Sequence, residues 1–376
     1  MGSHIRNIRN TRRTRYVPYV RHCRTVLVAA LASVLLAPVS AVSSAAASPR
    51  IPAGATTRRV PPGTFDGSRP ADATSHRFLP DDPTDSVTCH APHEPGLAVR
   101  LSHDIQMALS SRAGTVSVAV HDDLGLTCEL AGERQYDSAS VAKVLIMEGL
   151  LLRAEELGRR LTRWETTNTR PMIVSSDNAA ARRLWTSLGH SYLNGFLTRV
   201  RTHATVLGPG RYWGLTRTTA ADQMRLLDVL TNSRSFLRSR AYGLKLLAEV
   251  RADQRWGVSA GMPRGVQAHV KNGWLPRSTH GWRVHSVGAF IGEGRTYRIV
   301  VLSHDNPTKA YGVRTIERIA QVVHRGLGQG QDRGLDPGRD PTPETAVSEE
   351  PDGSAPYGPQ YGPPPGREAP EPDATP

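Results

Sequence analysis

The chain has 376 residues, with 47 lysines and arginines against 34 acids, a formal net charge of +13 and three cysteines. This length provides one large domain or two lobes, well beyond a minimal module. The charge would suit a nucleic-acid binder, but no aromatic-basic cluster or zinc-ligand spacing accompanies it, so nucleic acid is not expected as a partner.

Residues 1–24 hold seven arginines and no acid, an apolar run follows from Val26 to Val42, and small residues occupy Ser43 to Ala47. A basic n-region, an apolar h-region and an A-x-A site make residues 1–47 a secretory signal peptide, with an uncleaved anchor helix as the alternative. The apolar run is short for a bilayer span and no later stretch could serve, so a secreted chain without a membrane span after cleavage is expected. Residues 48–93 are rich in Pro, Thr, Ser, Asp and Arg and are expected as an extended linker. Residues 94–327 are the expected folded domain. Residues 328–376 form a Pro/Gly/acidic tail expected to lack packed structure. That tail holds ten acids and three arginines, so the excess positive charge resides in the domain. Solubility, or contact with an anionic cell-envelope polymer, accounts for it.

Cys23 leaves with the signal segment. Cys89 and Cys128 remain, to be a disulfide in an oxidising compartment or two separate thiols. Neither stands in a setting that would activate it for catalysis.

Within the domain, Leu97 to Leu109 has helical spacing. Thr115–His121 and Leu126–Leu130 are β-rich runs joined by Asp122-Asp123-Leu124-Gly125, a hairpin signal. Ser140–Leu157 is apolar nearly all round and predicts a central buried helix. Helical segments follow around Thr169–Val174, Ala179–Leu188, Ser191–Val200, Thr219–Asn232 and Ser235–Val250. Three strands come next, Gln267–Lys271, Arg283–Ile291 and Tyr297–Ser303, then a helix over Val313–Leu327. Two opening and three closing strands predict a mixed α/β fold: one five-stranded antiparallel sheet flanked by helices, plus a mostly helical lobe.

Only four of the 47 basic residues are lysines: Lys143, Lys245, Lys271 and Lys309. Arginine keeps its proton, whereas a desolvated lysine can lose it and act as a base. Ser140 and Lys143 share one face across the first turn of the buried helix, where Lys143 could deprotonate Ser140 and backbone N–H groups could hold an oxyanion. Alone, the pair reads equally well as a helix cap beside a snorkelling lysine. Ser176-Asp177-Asn178 and Lys271-Asn272-Gly273 follow in order.

With these three motifs the chain resembles the class A β-lactamases and serine penicillin-binding proteins, over about Pro95 to Leu327. The resemblance implies that Ser140 is the acylated nucleophile and Lys143 its base. Ser176 would relay a proton to the leaving nitrogen, with Lys271 holding its hydroxyl. Asn178 would bond the substrate amide, Asp177 would fix its loop, and the backbone N–H groups of Ser140 and Trp274 would form the oxyanion hole. Gly273 would leave the strand edge open to substrate.

Two departures stand out. Asn272 replaces the family's hydroxyl residue that helps bind the substrate carboxylate, a task Arg283 could assume. No Asp or Glu occurs between Asn178 and Ala221, where the β-lactamases carry a water-activating glutamate. His203 and Tyr212 are the polar candidates there, and each reads better as a surface or packing residue. The expectation is a monomeric serine hydrolase without cofactor or metal, acting on β-lactams or D-Ala-D-Ala-like peptides and deacylating slowly or atypically. A D-alanyl-D-alanine peptidase, an esterase and a silent envelope-binding module remain as alternatives.

Overall fold

The computed structural model describes residues 86–292, 294–328, 348, 350 and 352–354. The expected signal peptide and most of the linker and tail lie outside the described residues. In chain order the elements are β1 (Thr88–His90), α1 (Pro95–Leu109), β2 (Thr115–Asp122), β3 (Thr127–Leu130), β4 (Tyr136–Asp137), α2 (Ala142–Glu156), α3 (Arg163–Val174), α4 (Asn178–Leu188), α5 (His190–Val200), β5 (Arg217–Thr218), α6 (Ala220–Thr231), α7 (Arg240–Ala248), β6 (Gln267–Pro276), β7 (Trp282–Gly292), β8 (Arg295–Asn306) and α8 (Lys309–Gly328).

The sheet is antiparallel and is assembled from both ends of the domain, as the strand pattern predicts. It has six strands rather than five, in the order β1-β3-β2-β8-β7-β6. The additional strand is β1, at the end of the stretch expected as linker. It is too short for a periodicity signal, and its partner β3 holds it covalently. Cys89 stands opposite Cys128 in the register and the two form a disulfide. A separate β4–β5 pair lies outside the main sheet.

Helices cover both faces. On β8, Tyr297 meets His324 of α8, while the next residue, Arg298, pairs with Asp228 of α6. Successive strand side chains point to opposite faces, so α8 and α6 cover opposite sides. β7 between them is accordingly buried from Trp282 through Phe290, a continuous run with no alternation.

α2 is buried on nearly all sides, as its composition predicts. α3 begins earlier than the apolar pattern indicates, at a capping box. Thr162 Oγ1 accepts from the Glu165 N–H (3.1 Å) and Glu165 accepts from the Thr162 N–H (2.7 Å).

One residue of α2 conflicts with its surroundings. Glu148 is fully buried, and neither carboxylate oxygen has a hydrogen-bond partner among the described residues. Burial raises its carboxyl well above the ordinary value of 4.5. The folded state therefore holds a proton that the unfolded chain releases above pH 4.5, so this residue makes stability fall as pH rises, by up to about 1.4 kcal/mol per pH unit. Glu148→Met is expected to raise the urea midpoint at pH 7 and to flatten its decline between pH 5 and pH 7. Equal pH slopes in the two proteins would refute this.

Candidate active site

Ser140 lies in a 3-10 turn, Ala139–Val141, that leads into α2. The β4–β5 pair anchors the approach, and the Ser138 N–H donates to the Thr216 carbonyl at 2.8 Å. His285 of β7 supports it from below. Its Nδ1 accepts from the Ser303 N–H (3.2 Å), which leaves Nε2 to donate to the Asp137 carbonyl (2.9 Å). Burial pushes this imidazole down to about 3, so it stays neutral and keeps that pairing. Ala139 has a φ of 45°, a left-handed conformation that costs a residue with a β-carbon of order 1–3 kcal/mol and is typical of functional turns.

Lys143 lies one helical turn beyond Ser140, and the two side chains meet as their spacing predicts. Its Nζ lies within hydrogen-bond distance of four oxygens, Ser140 Oγ (2.8 Å), Ser176 Oγ (2.8 Å), the Ser176 carbonyl (2.6 Å) and Asn178 Oδ1 (2.7 Å), one more than an ammonium can donate to singly. Ser176, at the end of α3, presents both oxygens inward because its own φ is 57°. Asp177 caps α4 by accepting from the Ala180 N–H at 2.6 Å, the structural role expected for it. Lys271 enters from β6 and donates to Ser176 Oγ (3.0 Å) and to the Asn272 carbonyl (2.8 Å). Ser140, Lys143, Ser176 and Lys271 thus form one continuous hydrogen-bonded chain assembled from three separate parts of the sequence.

The two ammonium groups are both withdrawn from water, Lys143 at 0% and Lys271 at 1% exposure. Burial, reinforced by the Lys271 charge, holds Lys143 well below the ordinary lysine value. Burial lowers Lys271 to about 8, against an opposing pull from Asp352. A lysine so placed gives up its proton more readily than a free amine and could accept the serine proton, while its neighbour keeps positive charge close by.

Three positions expected to face substrate are engaged within the protein itself. Gly273 does not simply clear the strand edge. A β-carbon there would lie 2.7 Å from the Ser140 nitrogen and 2.9 Å from that of Val141, so glycine is needed for β6 to lie against the Ala139–Val141 turn. Asn272 is fully buried on the other face of β6, donating to the Gln254 and Trp256 carbonyls at 2.9 Å each. It fastens the strand to the 252–256 segment, because its neighbours Lys271 and Gly273 take the opposite face. Arg283 is also buried, held by the Thr279 and Gly281 carbonyls and by Asp137 (3.4 Å). Its guanidinium stabilises the turn ahead of β7 and is engaged before any substrate arrives. Trp274 carries an indole Nε1–H that donates to the Glu350 carbonyl at 2.7 Å.

Trp213 is a site residue that the motifs do not reveal. Its ring centroid lies 4.7 Å from Lys143 Nζ and the side chain is buried. It belongs to the acid-free stretch, and an aromatic residue in a glycine-containing loop was its only signal. Tyr212 beside it packs on Ala139, Leu215 and Leu275, and His203 is exposed. Lys245 lies on α7, and Lys309 has its ammonium 4.0 Å from the Trp274 ring centroid. The described residues that could share a metal are His280, His304 and Asp305. Their rings lie 3.1 and 2.6 Å from the Asp305 carboxylate, and none of the three bonds to the Ser140–Lys271 chain.

Residues 163–327 match the model of the Beta-lactamase enzyme family. That span includes Ser176 to Asn178 and Lys271 to Gly273 but begins after Ser140 and Lys143. The lipoproteins named LppW of Mycobacterium tuberculosis and Mycobacterium bovis are each 29% identical over 225 residues, covering 57% of this chain and 71% of theirs. Among solved structures, PBP-A superposes with a TM-score of 0.53 at 18% identity, over 61% of this chain and 96% of that one. A class A β-lactamase representative from Bacteroides cellulosilyticus gives 0.54 at 16% identity, over 62% and 99% of the two chains. A β-lactamase from Sphaerobacter thermophilus gives 0.52 at 19%, over 61% and 98%. The described domain therefore has the β-lactamase/transpeptidase fold, and its family likeness over residues 163–327 is to the β-lactamase enzymes.

Proposed function

We propose that the chain is an exported serine hydrolase that opens β-lactam amides through an acyl-enzyme on Ser140 and deacylates slowly. The observation that carries this reading is the 2.8 Å contact between Ser140 Oγ and a desolvated Lys143 beside a second buried lysine. Neutral Lys143 takes the Ser140 proton as Oγ attacks the carbonyl carbon. The tetrahedral oxyanion is held by the backbone N–H groups of Ser140 and Trp274. When the C–N bond breaks, Ser176 passes a proton from Lys143 to the departing nitrogen, leaving the Ser140 ester and a neutral Lys143. Hydrolysis then needs an activated water, and the stretch between Asn178 and Ala221 offers no carboxylate for the purpose.

That absence favours a second reading, a D-alanyl-D-alanine peptidase or penicillin-binding protein acting on peptidoglycan peptides, in line with the likeness to PBP-A. The lipoprotein name of the mycobacterial relatives supports an envelope location. Incubation of the mature protein with a penicillin, followed by intact mass and released penicilloate, tests these readings beside a Ser140→Ala control. A long-lived adduct that is absent in Ser140→Ala is the expected result. Multiple turnover would instead show efficient deacylation, and identical behaviour of the two proteins would sink both readings.

A further inference from the structure

Beyond α8 the chain returns to the cleft. The Ser140 N–H, one of the two expected oxyanion donors, bonds Asp352 Oδ2 at 3.0 Å. Asn178 Nδ2 donates to the Asp352 carbonyl, and Trp274 Nε1 donates to the Glu350 carbonyl at 2.7 Å. Lys309 Nζ donates to the Ser348 carbonyl at 2.6 Å. At the other end Ser354 is buried against Gly214, where a β-carbon would come within 2.5 Å of its side chain. Gly353 turns the segment with a φ of 69°, and a β-carbon there would lie 2.9 Å from Asn178 Nδ2. With these residues in position, Ser140 is 0% exposed.

The contacts are those that an acyl substrate would need. A carboxylate oxygen occupies an oxyanion donor, a backbone carbonyl occupies the Asn178 amide, and the negative charge faces Lys143 and Lys271. Asp352 is therefore badly placed to replace the missing water-activating carboxylate, because the donor it holds must be free for the substrate. Charge supports the same seating: the tail holds ten acids against three arginines, and the domain carries the opposite excess.

We propose that the catalytic cleft is a binding site for an acidic peptide that seats an aspartate carboxylate on the oxyanion donor, and that the chain's own residues 348, 350 and 352–354 are its resident occupant, competing with substrate. The competition rests on the acyl-enzyme reading above; the binding does not. The mature full chain and its Asp352→Ala variant should be compared by two measurements. Hydrogen exchange followed over residues 348–354 is expected to show protection in the wild type that is lost in the variant. Acylation by a fluorescent penicillin is expected to be on the order of 10-fold faster in the variant, the worth of one charge-assisted hydrogen bond. Added salt should accelerate the wild type more than the variant. Exchange over 348–354 as fast as in the flanking tail, or equal acylation rates in two chains that both acylate, would overturn the proposal. Protection that is lost on substitution, with neither chain acylated, would uphold the peptide site and remove the β-lactam reading instead.

Discussion

Lys143→Ala is expected to slow acylation of Ser140 by a penicillin about 10²–10⁴-fold, the usual contribution of a positioned general base. Lys143→Arg should be no better, since guanidinium keeps its proton at any working pH and cannot take one from serine. The pH profile separates the two lysines. Only neutral Lys143 is a base, so the rate should rise with pH through the folded value of Lys143, which burial and Lys271 hold below the ordinary 10.5. Above about 8 Lys271 loses its own proton, and with it the charge that favours anionic substrate and keeps Lys143 deprotonated. A falling alkaline limb near that pH should follow. The two protons are coupled, so the limbs belong to the pair rather than to single residues. Acylation rates measured from pH 5 to pH 10 by stopped flow test this. A profile that only begins to rise near 10.5 would mean that Lys143 is not the base.

Cys89→Ser combined with Cys128→Ser is expected to lower stability by about 4 kcal/mol, from the loss of a cross-link spanning 39 residues. For a domain of this size that corresponds to a fall of roughly 10 °C in melting temperature. Activity at 25 °C should be preserved, because β1 and β6 lie at opposite edges of the sheet and it is β6 that brings Lys271 to Ser176. Calorimetry with and without reductant, beside acylation rates, distinguishes this from a disulfide that shapes the cleft. A large loss of acylation at full folding would contradict it.

Much of the fold is visible in the amino-acid order. The buried α2 announces itself by an apolar surface on all sides, and the paired strand groups at the two ends of the domain foretell a shared sheet. β1 escapes notice because three residues have no measurable alternation, and the disulfide partner that secures it is distant in sequence. The start of α3 is missed for a related reason: its first two turns hold a single apolar residue, the exposed Trp164, and the capping box at Thr162 and Glu165 sets the boundary instead of the apolar pattern.

The sequence by itself determines that an amine lies beside a serine, because Ser140 and Lys143 are separated by one helical turn and share a face wherever that helix forms. It also determines that no carboxylate stands between Asn178 and Ala221. Only the tertiary structure decides which other groups share that site, since this depends on strand register and on which face of β6 each residue takes. Alternation along β6 directs Lys271 to Ser176 while turning Asn272 into the interior, and the pairing of Arg283 with Asp137 removes a candidate carboxylate ligand. Packing brings Trp213 over Lys143, and long-range return of the chain sets Asp352 on the Ser140 amide. Each of these is a contact between residues far apart in sequence, where spacing carries no information and only close packing and charge select the neighbours.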